Sequence, residues 1–356
     1  MAPEIRMMTI YARKFNARRA LASPTAKPAA GAICVAVAAL GVSALINQRL
    51  ARKAERENPP TGRFLEIAGV RLHFVDQGPS DGDVVVMLHG NGSMIQDFES
   101  SGLIDMVARN RRVIVFDRPG YGHSSRPRNK IWSPGAQADL IHAALSEIGV
   151  RRAIILGHSW GCLVAVALAD RHPDLVRGLV LASGYFFPTP RVDVVAMATP
   201  AVPVAGDIVR YAVAPPLSRL IWPLLLKKIF GPQKVPGKFA AFPRGMAIRP
   251  SQIRASAAES GLMIPGALAA RDSYARLKMP VAIIAGSDDR IVDIDQQSAR
   301  LHTEIRQSSY ERLPGAGHMI HQTETNSVVS AIERVSHAAN IVERGFAESR
   351  AARERG

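Results

Sequence analysis

The sequence predicts an α/β fold: a mostly parallel central sheet with helices on both faces, a helical insertion, and an apolar helix in front. Three observations predict it. Runs that are apolar at nearly every position recur at 84–88, 113–116, 153–156, 176–182 and 281–285, as expected of strands buried on both faces. Helical patterns at 136–148, 163–171 and 325–342 alternate with them, the rhythm of strand–helix–strand units. Each apolar run stops at a polar or glycine-rich tip, and open parallel sheets bind their ligands beyond the carboxyl ends of the strands.

Taken in order, residues 1–28 form a basic segment. The run 29–46, AAGAICVAVAALGVSALI, carries no charge and reaches the length of a bilayer span, about 17 residues or more. It reads as an uncleaved signal anchor, making the chain a single-pass membrane protein. Three alternatives stand beside that reading: a signal peptide cleaved near Val42-Ser43-Ala44, which would leave a secreted protein, an Arg-rich transit peptide, and a helix packed on the protein. Arg6, Arg13, Lys14, Arg18, Arg19 and Lys27 precede the run, and Arg49, Arg52, Lys53 and Arg56 follow it. The excess in front keeps the N-terminus cytoplasmic and sends the domain after Pro60 to the other side. Residues 47–62 read as a charged helical stalk stopped by Asn58-Pro59-Pro60-Thr61-Gly62, because proline cannot continue a helix.

Alternating runs at 64–67 and 70–75 around Ala68-Gly69 predict a hairpin. The α/β core is expected over 63–184 and 277–343. Between them, 185–276 shows no clear strand and carries twelve prolines, with short apolar helical runs such as 217–229. It reads as a helical cap laid over the strand ends. A last strand is expected at 309–313, and a charged, frayed tail at 344–356.

Composition closes off several functions. Hydrophobic residues make up 47% of the 356 and charged residues 21%, so a large core forms and disorder is excluded as the main state. Cys34 and Cys162 are the only cysteines, which excludes a disulfide scaffold and Cys-clustered metal sites. The net charge of +15 is concentrated in front: residues 1–60 hold ten Lys/Arg against three Asp/Glu. The remaining surplus is scattered, without aromatic–basic interleaving, and predicts no nucleic-acid partner.

The chemistry is expected at Gly157-His158-Ser159-Trp160-Gly161, directly after an apolar strand and before a helix. A sharp strand-to-helix turn presents a serine oxygen at the sheet edge, and the glycines are needed because backbone passes close by. A serine hydroxyl needs a base. His318, in the glycine-rich loop after the last strand, is the candidate, with His321 as its rival. The pair as a metal site lacks a matching acidic cluster, and no metal or organic cofactor is required. The base needs an orienting carboxylate; Asp288 and Asp289 both follow the strand ending at Gly286. Two backbone N–H groups are needed to hold an oxyanion. They are expected from Trp160 and from Asn91, in the loop His89-Gly90-Asn91-Gly92-Ser93.

With these motifs in hand, the chain from about residue 64 to 342 resembles the α/β-hydrolase superfamily. HGNGS at 89–93, DRPGYGHS at 117–124, GHSWG at 157–161, GSDDRIV at 286–292 and GAGH at 315–318 carry the resemblance. It implies Ser159 as nucleophile, His318 as base, Asp289 as its partner, and a helical cap. Haloalkane dehalogenases and epoxide hydrolases of the superfamily carry aspartate where this chain has Ser159, and HGNGS departs from the HGGPG of proline iminopeptidases. Esterases, lactonases, meta-cleavage (C–C) hydrolases and cofactor-free perhydrolases share the implied triad. The expected activity is acyl transfer on a small carboxylic ester or related carbonyl compound, apolar if Trp160 lines the acyl pocket. The alternative is a membrane-tethered binding protein without catalysis, a fate that usually accompanies loss of a triad member.

Overall fold

The computed structural model describes residues 26–190 and 197–353. Residues 1–25 of the basic segment, residues 191–196 of the expected cap and the last three residues of the tail lie outside them.

Eight strands form one sheet: β1 (Arg63–Ile67), β2 (Val70–Gln77), β3 (Val84–Leu88), β4 (Arg112–Phe116), β5 (Ala153–His158), β6 (Val176–Ala182), β7 (Val281–Gly286) and β8 (Ser308–Leu313), in the order β1-β2-β4-β3-β5-β6-β7-β8. β1 and β2 are the expected hairpin, with Ile67 paired to Val70. Ala68 and Gly69 turn it at φ +50° and +75°, the left-handed pair a two-residue hairpin loop demands. β2 also runs antiparallel to β4, and every later pairing is parallel.

Side-chain alternation explains why the central strands are apolar throughout. Val86, Leu88 and Ile155 pack on one face against Leu140, Ile141, Leu163 and Val166, which belong to α4 (Pro134–Glu147) and α5 (Gly161–Arg171). Val85, Met87, Ile154 and Leu156 pack on the other against Phe98, Ile104, Val328 and Ile332. At α4, Ser133 accepts the Ala136 N–H at 3.2 Å and Pro134 occupies the first turn, where its missing N–H costs nothing.

Three features add to what the sequence patterns predict. Helices α2 (Ile95–Ser101) and α3 (Leu103–Ala108) follow β3; Gly102 at φ +75° divides them, and neither piece is long enough to show a helical period. The apolar run and the stalk form one continuous helix, α1 (Ala26–Glu57), since 48–57 holds only good helix formers. The closing helix, Thr325–Arg353, continues into the tail expected to fray, again through alanine, glutamate and arginine.

Between β6 and β7 the described residues form helices and turns and no strand, including α6 (Ala214–Phe230), α7 (Pro250–Gly261) and α8 (Met263–Ala270); the closing helix is then α9 (Thr325–Arg353). The second half of α1 is docked on this segment. Ser43 donates to the Ala212 carbonyl at 2.6 Å, Asn47 to the Tyr211 carbonyl at 2.9 Å, and Arg219 to Asn47 at 2.7 Å. From Ala30 to Val42 the helix is bare: Ile33, Val35, Val37 and Val42 are all exposed. Its length and an 18-residue stretch with a mean hydropathy of 2.1 make α1 a helix able to cross a membrane, as a signal sequence also would be.

Candidate active site

The elbow is set by steric crowding. A Cβ on Gly157 would lie 2.7 Å from the Cys162 backbone, and one on Gly161 would lie 2.2 Å from the Leu88 carbonyl oxygen. Only glycine lets α5 start that close to β3 and β5. Ser159, between them, sits at φ +53°, a left-handed conformation that costs a non-glycine residue roughly 1–3 kcal/mol. That cost is borne where the Ser159 hydroxyl leaves the sheet.

Ser159 Oγ lies 2.9 Å from His318 Nε2, and His318 Nδ1 lies 2.7 Å from Asp289 Oδ2. With Nδ1 protonated and donating to the carboxylate, Nε2 is left to accept the serine proton. Asp289 is aimed by its own loop: its Oδ1 accepts the N–H groups of Ile291 at 2.7 Å and Val292 at 3.1 Å. Asp288 is an exposed turn residue bonded to Ser287 Oγ at 2.6 Å. His318 is pinned through its backbone: its N–H donates to the Ile229 carbonyl on α6 at 3.1 Å, and its own carbonyl meets His158 Nε2 at 3.1 Å.

His158 and His321 take a different place. Both are buried, with ring centroids 4.3 Å apart, and His321 Nε2 is 3.0 Å from Asp97 Oδ1. Asp97, His158 and His321 form the one cluster of metal-ligand type among the described residues. Asp97 is already occupied, accepting from Ser93 Oγ at 2.7 Å and Gln322 Nε2 at 3.0 Å. Burial, then the neighbouring His321 and His318, hold the His158 imidazole well below its ordinary range. The cluster thus reads as a brace under the His318 loop. Sequence reasoning missed it because His158 lay inside a motif read only for its serine.

The loop 89–93 runs against the serine: a Cβ on Gly90 would sit 3.1 Å from Ser159 Cβ. Arg118 fixes this loop. Its Nε donates to the His89 carbonyl at 2.8 Å and its Nη2 to the Gly90 carbonyl at 3.0 Å. Peptide planarity then turns the Asn91 N–H to the opposite side. The backbone N–H groups of Asn91 and Trp160 make no hydrogen bond among the described residues.

Arg118 is itself buried and paired with the equally buried Glu259 of α7. Gln137 Nε2 at 2.9 Å and Tyr121 OH at 2.7 Å also donate to Glu259, and Tyr121 OH lies 2.8 Å from Asn91 Oδ1. Burial alone would raise the Glu259 carboxyl; the Arg118 charge and hydrogen bonds outweigh it and hold it below its ordinary value. The network ties the β6–β7 segment to the loop beside the serine. Arg118 and Tyr121 lie within DRPGYGHS at 117–124, but Glu259 has no local sequence signal.

His89 in the same loop makes a pH prediction. Its Nε2 accepts the Arg118 backbone N–H at 3.0 Å and its Nδ1 meets the Gly90 carbonyl at 2.8 Å, an arrangement for the neutral ring. Burial, then the Arg118 charge, push it from 6.5 to about 4. Because the folded value is depressed, the unfolded chain binds the proton first. The His89 contribution is complete above about pH 6.5 and is lost as pH falls toward 4, with about 2 kcal/mol gone by pH 5. In urea titrations the stability gap between wild type and His89→Gln should narrow by that amount from pH 7 to pH 5. Parallel pH profiles would contradict the assignment.

Ser159 opens into a cavity of about 330 Å³ whose wall includes Trp160, Trp222, Leu225, Phe239, Phe242 and Met263. Trp222 and Leu225 come from α6, whose outer face exposes Leu217, Leu220, Ile221 and Leu224.

The alpha/beta hydrolase fold model matches residues 83–325. A 2-hydroxymuconate semialdehyde hydrolase of Pseudomonas sp. is 34% identical over 138 residues, 38% of this chain and 48% of that protein. Haloalkane dehalogenase 2 of Mycobacterium tuberculosis is 25% identical over 291 residues, 77% of this chain and 94% of that one. A thermophilic esterase from Thermogutta terrifontis superposes with a TM-score of 0.65 at 21% identity, over 78% of this chain and 99% of that chain, a likeness of fold. The match spans about half the length of the first of these relatives.

Proposed function

The chain belongs to the alpha/beta hydrolase fold family, and from that premise we propose that it is a membrane-tethered serine hydrolase acting on apolar carboxylic esters. One observation carries the reading: the Ser159–His318–Asp289 hydrogen-bond chain opens into an apolar cavity. Ser159 attacks the carbonyl carbon while His318 Nε2 takes its proton, and Asp289 stabilises the imidazolium that forms. The Asn91 and Trp160 N–H groups hold the developing oxyanion, worth about 3–4 kcal/mol per donor. His318 protonates the departing alcohol. Water, deprotonated by His318, then attacks the acyl-enzyme, releases the acid and restores Ser159.

The helices between β6 and β7 act as the cap. α6 supports this, with Trp222 and Leu225 at the cavity and an apolar stripe facing outward. The uncleaved anchor is supported by Ser43 and Asn47, which bond into that segment from the region where a signal peptidase would cut. The catalytic domain lies on the non-cytoplasmic side, as the basic residues around the span imply.

The Pseudomonas relative is named for a semialdehyde substrate, and the same three side chains would serve C–C hydrolysis. Ser159, in place of a carboxylate, supports acyl chemistry over dehalogenation. A turnover screen of p-nitrophenyl esters graded from acetyl to palmitoyl, with lactones and a meta-cleavage diketone alongside, tests the reading. Ester hydrolysis favouring longer acyl chains is expected. Turnover confined to the diketone, or no turnover of any compound, would overturn it.

A further inference from the structure

A second cavity, of about 500 Å³, takes no part in this chemistry. It opens where the C-terminal end of α1, the loop after β4 and α7 meet, and its wall carries Arg71, Arg126, Arg210, Arg249 and Arg254 against one carboxylate, Glu55. Charge there is poorly balanced. Glu55 is taken by Arg249 at 2.6 Å. Outside the wall, Asp207 serves Arg210 at 2.7 Å and is shared with Arg128. The carboxylate nearest Arg126 is Glu259, at 3.9 Å, already bonded by Arg118, Tyr121 and Gln137. Arg71 and Arg254 have no ion pair among the described residues. The Arg71 guanidinium stacks 3.5 Å from the Phe64 ring centre, and among the described residues Arg254 reaches only the Arg126 carbonyl, at 3.5 Å.

Two serines of the wall, Ser251 and Ser125, can donate as well. Ser251 sits in the first turn of α7, a twelve-residue helix with no side-chain cap at its N-terminus, so N–H groups and the positive end of the helix dipole are available there. The hydroxyl of Ser251 makes no hydrogen bond among the described residues. Ser125 Oγ accepts from the Arg71 N–H at 2.9 Å, which leaves its proton to donate. Clustered guanidinium groups, hydroxyls and a helix N-terminus match the acceptor oxygens and charge of a phosphate. The volume leaves room for an organic substituent.

We propose that this arginine pocket binds a phosphate-bearing anion, an organic phosphoester, at a site separate from the Ser159 cavity. Two sources share that chemistry: a soluble phosphomonoester and the headgroup of an acidic lipid. Glu55 stands nine residues beyond Ile46, about 14 Å along the helix from the end of the apolar run.

The test uses the full chain in maltoside micelles, which contain no phosphate. Glycerol 3-phosphate and inorganic phosphate are titrated by calorimetry in one arm; in the other, phosphatidylglycerol is added to the micelles and its binding measured. Saturable binding in either arm is expected, weakened at least tenfold in Arg254→Gln and in Arg71→Gln, and unchanged in Arg151→Gln, an exposed arginine outside the pocket. Binding in the first arm assigns a soluble ligand, and binding in the second alone assigns a lipid headgroup. If Arg254→Gln loses its melting transition, the exposed Arg71→Gln decides alone. No binding in either arm, or binding that both pocket variants leave intact, would overturn the proposal.

Discussion

Replacing Ser159 by alanine is expected to lower kcat for ester hydrolysis by at least about 10⁴-fold, with KM little changed. The side chain is small and half-buried, and among the described residues its hydroxyl meets one partner, His318, at 2.9 Å. Alanine retains the methylene and removes only the oxygen. Stability should hold or rise slightly, since nothing in the core depends on that hydroxyl. The left-handed backbone at φ +53° remains, so Ser159→Gly should be more stable still while equally inactive. Retention of more than about a tenth of wild-type kcat in Ser159→Ala would place the nucleophile elsewhere.

The second large effect separates two adjacent aspartates. Asp289→Asn keeps the shape of a side chain that receives two backbone N–H groups, from Ile291 and Val292. It removes the charge that stabilises the imidazolium and lets the amide hold the wrong His318 tautomer. A loss of about 10⁴-fold in kcat is expected. Asp288→Asn should stay within about threefold of wild type, because Asp288 is an exposed turn residue bonded to its neighbour Ser287. Stability should barely separate the two variants. Equal losses of activity would show that the relay runs through neither carboxylate specifically.

Local chemistry determined how much of this was legible in sequence. The central strands were readable because burial on both faces forces continuous apolar runs, as at Val84–Leu88. The elbow was readable because Gly157 and Gly161 answer to backbone atoms a few ångströms away. α2 and α3 were not, because Gly102 cuts a helical stretch into pieces shorter than two full turns of pattern. The seat of α1 was not, because Ser43, Asn47 and Glu55 contact residues more than 160 positions away. Glu259 shows the same limit: a glutamate in an alanine-rich helix looks like a solvated charge until Arg118 is found against it. His158 is the intermediate case, in plain view within GHSWG, yet its bond to the His318 carbonyl exists only once the chain is folded.

The mechanism requires Ser159 to be an activated nucleophile. Labelling the full-length protein with a fluorophosphonate, followed by peptide mapping, tests it most directly. A single phosphonyl adduct on Ser159 is predicted, slowed by orders of magnitude in His318→Ala. Folded protein that carries no adduct, or carries it on another residue, would contradict the account.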